Sequence, residues 1–263
     1  MNIIVCIKQV LDTGAAIQIV NGEISSPGSP FIMNPYDEFA VEEAVRIKTA
    51  LPDSNITVLS LGPESVKEIL KRALAMGADH AVHLSDPLFE RLDNFQIAKI
   101  LATTIQKKPF DLVLCGRQAV DDDMAQVGPA LAVLLKIPFV TIVTKLKFSE
   151  NFQNADITRQ VEGGTEVRKD FALPFLVSCQ KGLNEPRLPS LKGIMAAKKK
   201  EIHKISSSDL DLDSQILDPK KKYLQEVKLS LPPERKKGII LEGSDEERAK
   251  QLVTIIREEE KII

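Results

Sequence analysis

Strand-like and helix-like segments alternate five times within the first ~140 residues, and that rhythm limits the fold more than any other feature. Residues 3–10 form a mostly apolar run, as expected of a parallel strand buried on both faces. Asn34-Pro35 opens a helix, with Asn34 as cap, Pro35 at the first helical position, and Asp37 and Glu38 complementing the dipole. Phe39, Ala40, Ala44 and Ile47 follow the helical period, and Pro52 ends the helix. Residues 56–61 read as a second strand, and the helix after Gly62-Pro63 stops at Gly77. A short strand at 81–84, a helix over Asn94–Gln106 and a strand at 111–115 ending at Gly116 continue the series. A helix ending near Lys136 and a strand starting at 138–141 close it. The expectation is an α/β fold: a doubly wound, mostly parallel, Rossmann-like sheet with helices on both faces.

Three stretches break the rhythm. Asn21-Gly22 between Ile17–Val20 and Glu23-Ile24 predicts a hairpin. Residues 143–148, 155–161 and 165–171 alternate apolar and polar side chains, as appended antiparallel strands do, before a buried strand at 174–179. Residues 184–263 are charged and show little periodicity until a helix expected from Ser244, its N-cap, to about Lys261. This suggests a nucleotide-binding domain over 1–183, a loop over 184–200 and an extended arm over 201–263, lying on its own domain or on another subunit.

Charge and composition narrow the function. There are 35 basic and 37 acidic side chains, a formal charge of −2, without the net basic footprint of a nucleic-acid-binding protein. No apolar run approaches the ~18 residues of a membrane span. The start, Met1 to Cys6, reads as a strand and not as a targeting segment, so a cytoplasmic, bacterial-type protein is expected. Cys6, Cys115 and Cys179 sit singly in apolar runs and read as core thiols. His80, His83 and His203 have no companion ligands at metal-binding spacing, so no metal is expected.

In open α/β sheets, ligands bind beyond the carboxyl ends of the strands. Four such ends can be read here: Cys6-Ile7-Lys8, the helix start at Asn34–Asp37, Leu61-Gly62-Pro63, and the loop from Gly116 to Asp123. The loop leads into a helix start at Ala125-Gln126-Val127, whose first N–H groups lack intrahelical partners and can cradle a phosphate. Gly128 permits close approach, and Pro129 is tolerated in a first turn. The same Asp121-Asp122-Asp123 run is equally readable as a solvated capping segment. There is no Walker A motif, no G-x-G-x-x-G and no nucleophile–base set. Residue chemistry thus points to a nucleotide-binding α/β domain without a catalytic side chain.

The chain resembles the beta subunits of electron transfer flavoproteins along essentially its whole length. The matching segments are Val5–Val10, Met33–Ala44, Arg72–Asp79 and Leu114–Ala119 with the acidic loop after it. The most specific is Asn184–Met195, followed by Ala196-Ala197-Lys198-Lys199-Lys200. The resemblance implies an electron-carrier subunit, not an enzyme in itself, paired with an alpha subunit that carries most of a shared FAD. It implies AMP held structurally in the beta crevice, with a second FAD there in the electron-bifurcating, NADH-oxidising branch. Acyl-CoA or related dehydrogenases, as in fatty acid beta-oxidation, are the implied donors, and a membrane quinone oxidoreductase is the acceptor. It places Cys6, Asn34, Asp37, Leu61, Asp123, Ala125, Gln126 and Val127 around the nucleotide and Tyr36 near the flavin ring. It makes Leu191 the anchor that enters a dehydrogenase pocket, against the plainer reading of a leucine covering its own domain. The acidic start of the loop looks like AMP-binding members, whereas Ala125–Pro129 with Tyr36-Asp37 looks like the bifurcating branch, which usually has Gly where Asp122 stands. Asp122 adds bulk and negative charge beside a diphosphate, so AMP is the expected ligand. A free-standing, stress-like nucleotide-binding protein is the competing reading, but such a domain would end near residue 180.

Overall fold

The computed structural model describes residues 1–213, 215–233 and 238–259. In chain order the elements are β1 (Asn2–Cys6), β2 (Gln9–Leu11), β3 (Gln18–Val20), β4 (Glu23–Ser25), β5 (Phe31–Met33) and α1 (Pro35–Ala50). Next come β6 (Asn55–Leu61), α2 (Lys67–Met76), β7 (His80–Leu84), α3 (Asn94–Gln106), β8 (Leu112–Gly116) and α4 (Val127–Leu135). They are followed by β9 (Phe139–Phe148), β10 (Asn154–Val161), β11 (Gly164–Ala172), β12 (Phe175–Cys179), α5 (Leu191–Ala197), β13 (Ile202–Ile205) and α6 (Asp245–Thr254).

A nine-stranded sheet runs in the order β11-β10-β9-β12-β8-β1-β6-β7-β13. From β9 through β13 in that order every pairing is parallel, and only β10 and β11 run antiparallel. The chain builds outward from β1 through β6 to β7, then crosses back to place β8 on the other side of β1. The β1/β8 boundary is therefore the topological switch point, where ligands of such sheets bind.

Alternation along the central strands divides the core. Ile3, Val5, Val58, Leu112 and Leu114 face α1 and α2, where Val41, Ala44, Leu70 and Ala73 meet them. Ile4, Cys6, Leu59, Val113 and Cys115 face α3 and α4, against Ile100, Leu101, Leu131 and Ala132. Each fully buried Leu or Ile contributes about 1.5–3 kcal/mol.

The predicted α/β sheet and its antiparallel extension are present, with several local differences. The expected strand over 3–10 ends at Cys6, and Gln9–Leu11 leaves the sheet to pair antiparallel with β5. Asn21 (φ 52) and Gly22 (φ 79) both adopt the left-handed geometry of the expected hairpin turn. The segments expected at 138–141 and 143–148 form one strand, β9, which pairs parallel with β12 and then antiparallel with β10. Ile142 sits at φ 59 where the register shifts, and its N–H donates to Ser178 Oγ at 3.1 Å. The sheet also extends past residue 183, because β13 from the expected arm adds its ninth strand beside β7. Ser244 caps α6 in a capping box with Glu247, and a π-helical turn carries the chain to Glu259. The expected end of that helix, near Lys261, lies outside the described residues. No helix among the described residues is long and apolar enough to cross a membrane.

Candidate functional site

A cleft opens beyond the carboxyl ends of β1, β6 and β8, where open α/β sheets bind their ligands. Cys6, Ile7 and Lys8 close it from β1, Leu59 and Leu61 from β6, and Cys115 and Gly116 from β8. The loop after β8 and the first turn of α4 form one wall, and Asn94, Ile97 and Leu101 of α3 form the opposite wall.

Asp37 ties the two central strands together at the floor. Its Oδ2 accepts from the Lys8 N–H at 2.7 Å and its Oδ1 from the Gly116 N–H at 2.9 Å. Burial pushes its carboxyl up to about 7 despite those two donors. Gly116 is required for this approach, since a Cβ there would collide with the Asp37 carboxylate and lie 2.8 Å from the Tyr36 Cβ. Burial likewise pushes the Cys6 thiol up to about 12, and it raises Cys115 and Cys179 well above the ordinary thiol range. All three stay protonated near neutral pH, which makes them apolar filling and not nucleophiles.

Asn34 does not do what its position at the helix start suggests. It makes no side-chain cap bond to α1. Its Nδ2 instead donates to the Gln118 carbonyl at 2.8 Å, and its Oδ1 accepts from the Val120 N–H at 3.2 Å. Its own N–H donates to the Lys8 carbonyl at 2.9 Å. The asparagine thus fastens the loop after β8 to the end of β1. Lys8 Nζ adds ion pairs to Asp121 at 2.8 Å and Asp122 at 3.2 Å. These pairs are partly exposed, so each contributes at most about 1 kcal/mol.

The loop ends in strained backbone. Asp123 (φ 52) and Ala125 (φ 54) are both left-handed, a geometry that costs a non-glycine residue about 1–3 kcal/mol. Gln126 follows in the right-handed helical region, and α4 begins at Val127. A left-handed residue followed by a right-handed one turns successive N–H groups to the same side, an anion-binding nest. Among the described residues, no hydrogen-bond acceptor meets the N–H groups of Ala125, Gln126, Val127 or Gly128. A phosphate fits this cradle without any cationic side chain. Gly128 has a second reason to be glycine: a Cβ there would lie 2.9 Å from Cys115 Sγ, so it sets the spacing between α4 and β8.

Of the residues expected around a nucleotide, Cys6, Asn34, Asp37, Leu61, Ala125, Gln126 and Val127 meet in this one cleft. Asp123 does not line it. Its carboxylate accepts from Gln118 Nε2 at 2.5 Å within the loop, while its neighbour Asp122 faces the cleft. Tyr36 is half-buried over Gly116, beside the cleft and not in its lining. Leu191 stands apart at the start of α5, 82% exposed. Sequence reasoning missed Asn94, Ile97 and Leu101, whose spacing of three and four residues marks one helix face but not which neighbour it meets. Among the described residues no cluster of His, Cys, Asp and Glu could hold a metal ion.

Comparison with known proteins agrees with this architecture. The electron transfer flavoprotein domain family matches residues 24–210. Electron transfer flavoprotein subunit beta of Bacillus subtilis (strain 168) is 43% identical over 265 residues, covering 100% of both chains. The caffeyl-CoA reductase-Etf complex subunit CarD of Acetobacterium woodii is 39% identical over 261 residues, covering 98% of both. The mitochondrial electron transfer flavoprotein subunit beta of Oryza sativa subsp. indica is 38% identical, covering 94% of this chain and 95% of its own. Full-length similarity of this kind sets aside the free-standing stress-like reading. The chain belongs to the family of electron transfer flavoprotein beta subunits, electron-carrier subunits that associate with flavin and act with an alpha partner.

Proposed function

We propose that the chain, paired with its alpha subunit, holds AMP in the cleft at the β1/β8 boundary. The pair carries electrons from acyl-CoA or related dehydrogenases to a membrane quinone oxidoreductase. The shared FAD supplies the electron chemistry when bound, while the protein supplies position and electrostatics. The N–H groups of Ala125 to Gly128 hold the phosphate, and Leu59, Leu61, Ile97 and Leu101 give the base an apolar, water-excluding wall. Tyr36, beside the cleft, faces the flavin of the alpha subunit. Leu191 is the dehydrogenase anchor, and the arm over 201–263 clasps the alpha subunit beyond the part that packs at home: β13 joins the chain's own sheet, while none of the described residues after 225 is buried.

The observation that carries AMP over a larger nucleotide is Asp122. Its carboxylate is part of the cleft wall, held there by the Met124 N–H at 3.0 Å and by Lys8. A side chain at this position takes up room against the backbone that the second phosphate of a dinucleotide would need, whereas a monophosphate leaves that room unused. A second reading, an electron-bifurcating subunit with a second FAD in the cleft, draws on the Ala125–Pro129 segment and on the similarity to CarD. Asp122→Gly tests the choice. Co-expressed with the alpha subunit, the variant heterodimer should release FAD at the expense of AMP when denatured. AMP at an unchanged one per heterodimer would show that Asp122 does not select the ligand.

A further inference from the structure

Helix α1 carries two adjacent carboxylates, Glu42 and Glu43, that are buried in mid-helix and take no part in the cleft. Buried carboxylates need charged or hydrogen-bonding partners, and here the partners all come from residues 183–187 and Arg46. Arg187 grips Glu42 with both ends of its guanidinium, Nε to Oε2 at 2.7 Å and NH2 to Oε1 at 2.8 Å. The Arg187 N–H adds a third bond to Glu42 Oε2 at 3.1 Å. Asn184 Nδ2 donates to Glu43 Oε2 at 2.8 Å and to the Phe39 carbonyl at 3.0 Å. Arg46 reaches both Glu43 and the Leu183 carbonyl.

This grip falls where backbone pairing is lost. Between β12 and α5 the chain belongs to no strand or helix, so side chains have to hold it. On the far side, Gly193 rests against the Ala75 carbonyl of α2 so closely that a Cβ there would collide with it, and Ala197 is buried. Between these two fixed points stand Leu188 and Leu191, each 82% exposed. Large apolar side chains so exposed, on a stretch so firmly held at both ends, suit docking and not covering of the core.

We propose that Glu42 and Glu43, with Arg187 and Asn184, are positioning residues for partner docking. They form a clamp on α1 that fixes the direction in which Leu188 and Leu191 are presented. The proposal rests on the reading of Leu191 as the dehydrogenase anchor, and it adds the buried pair that aims that anchor. Pre-aiming lowers the ordering cost of docking, so losing the clamp weakens encounter with the partner and leaves the flavin untouched.

The test uses the heterodimer with its alpha subunit, and an acyl-CoA dehydrogenase reduced by its acyl-CoA as the electron donor. Arg187→Gln and the charge-free pair Glu42→Gln/Arg187→Gln should raise the KM for the heterodimer by about tenfold, with kcat within about twofold and FAD content unchanged. Leu191→Ala should raise KM too, and by less in the clamp-free background than alone, because both act on one docking event. If Leu191→Ala raises KM while the clamp variants leave it unchanged, the clamp is overturned and the anchor stands. If Leu191→Ala leaves KM unchanged, the anchor reading falls and takes the clamp's role with it. Should Arg187→Gln fail to assemble, hydrogen exchange over residues 188–197 in the charge-free double variant decides. Faster exchange there is the expected result, and unchanged protection overturns the proposal.

Discussion

The carboxylate of Asp37 accepts one hydrogen bond from each of the two strands that part at the cleft. Its carboxyl is held up near 7 because burial outweighs those donors, so in the folded state it keeps its proton well above the range of an exposed aspartate. In the unfolded chain Asp37 loses its proton near 3.8, the ordinary value for an aspartate. Between those two values the folded protein binds more protons than the unfolded one. The contribution is therefore fully present below about pH 4 and is lost as pH rises through about 7. Asp37→Asn cannot titrate. The difference in apparent Tm between the wild-type and Asp37→Asn heterodimers should narrow steadily from pH 4 to pH 7, in favour of the variant. A difference that stays constant across that interval would mean that Asp37 is ionised throughout. At this scale the sequence was only half legible. Asp37 is read locally as a complement to the helix dipole, and Asn34 as a cap. Their actual partners are Lys8, Gly116, Gln118 and Val120, most of them far away in the chain, and local pattern carries no information about such pairings. The burial of Glu42 and Glu43 was hidden for the same reason, since a Glu-Glu pair in a helix is ordinarily a solvated face.

Helices announce themselves by period and caps, and here α1 to α4 fall close to where those signals put them. The failures are short or shared elements. β13 has only four residues, its middle pair exposed, and nothing in such a stretch marks it as the edge of a large sheet. The apolar run over residues 3–10 hides a break after Cys6, because apolarity reports burial and not which ladder a residue joins. Two glycines show how tightly the elements around the cleft are fitted. At Gly116 an added Cβ meets backbone, the Asp37 N at 2.9 Å, which cannot move without displacing α1. At Gly128 the added Cβ meets the Cys115 thiol, also at 2.9 Å, and a side chain can yield. Gly116→Ala should therefore cost more stability than Gly128→Ala. Overpacking of about 1–3 kcal/mol is expected at Gly128, reduced by the ~1 kcal/mol that alanine gains over glycine within a helix. Thermal unfolding of the two variants as heterodimers checks the order, and equal losses would contradict it.

For the molecule as a whole, alternation alone was enough to predict a doubly wound sheet. The switch point between β1 and β8 then puts the cleft where such sheets bind ligands. The identity of that ligand is not written in the alternation. In the function proposed above it turns on the N–H groups of Ala125 to Gly128 and on the Asp122 carboxylate, and only the carboxylate is visible as a residue type. The chain belongs to a family of electron-carrier subunits that associate with flavin, in which the cofactor supplies the electron chemistry. None of the described residues after 225 is buried, in keeping with a family whose members act with an alpha partner. The measurement that bears most directly on this account is the nucleotide content of the heterodimer. The chain is co-expressed with its alpha subunit, the purified complex is denatured, and the released nucleotides are separated by chromatography. The account predicts one FAD and one AMP per heterodimer. Two FAD and no AMP would contradict it, and would make the cleft beside Asp122 and Gln126 the seat of a second flavin.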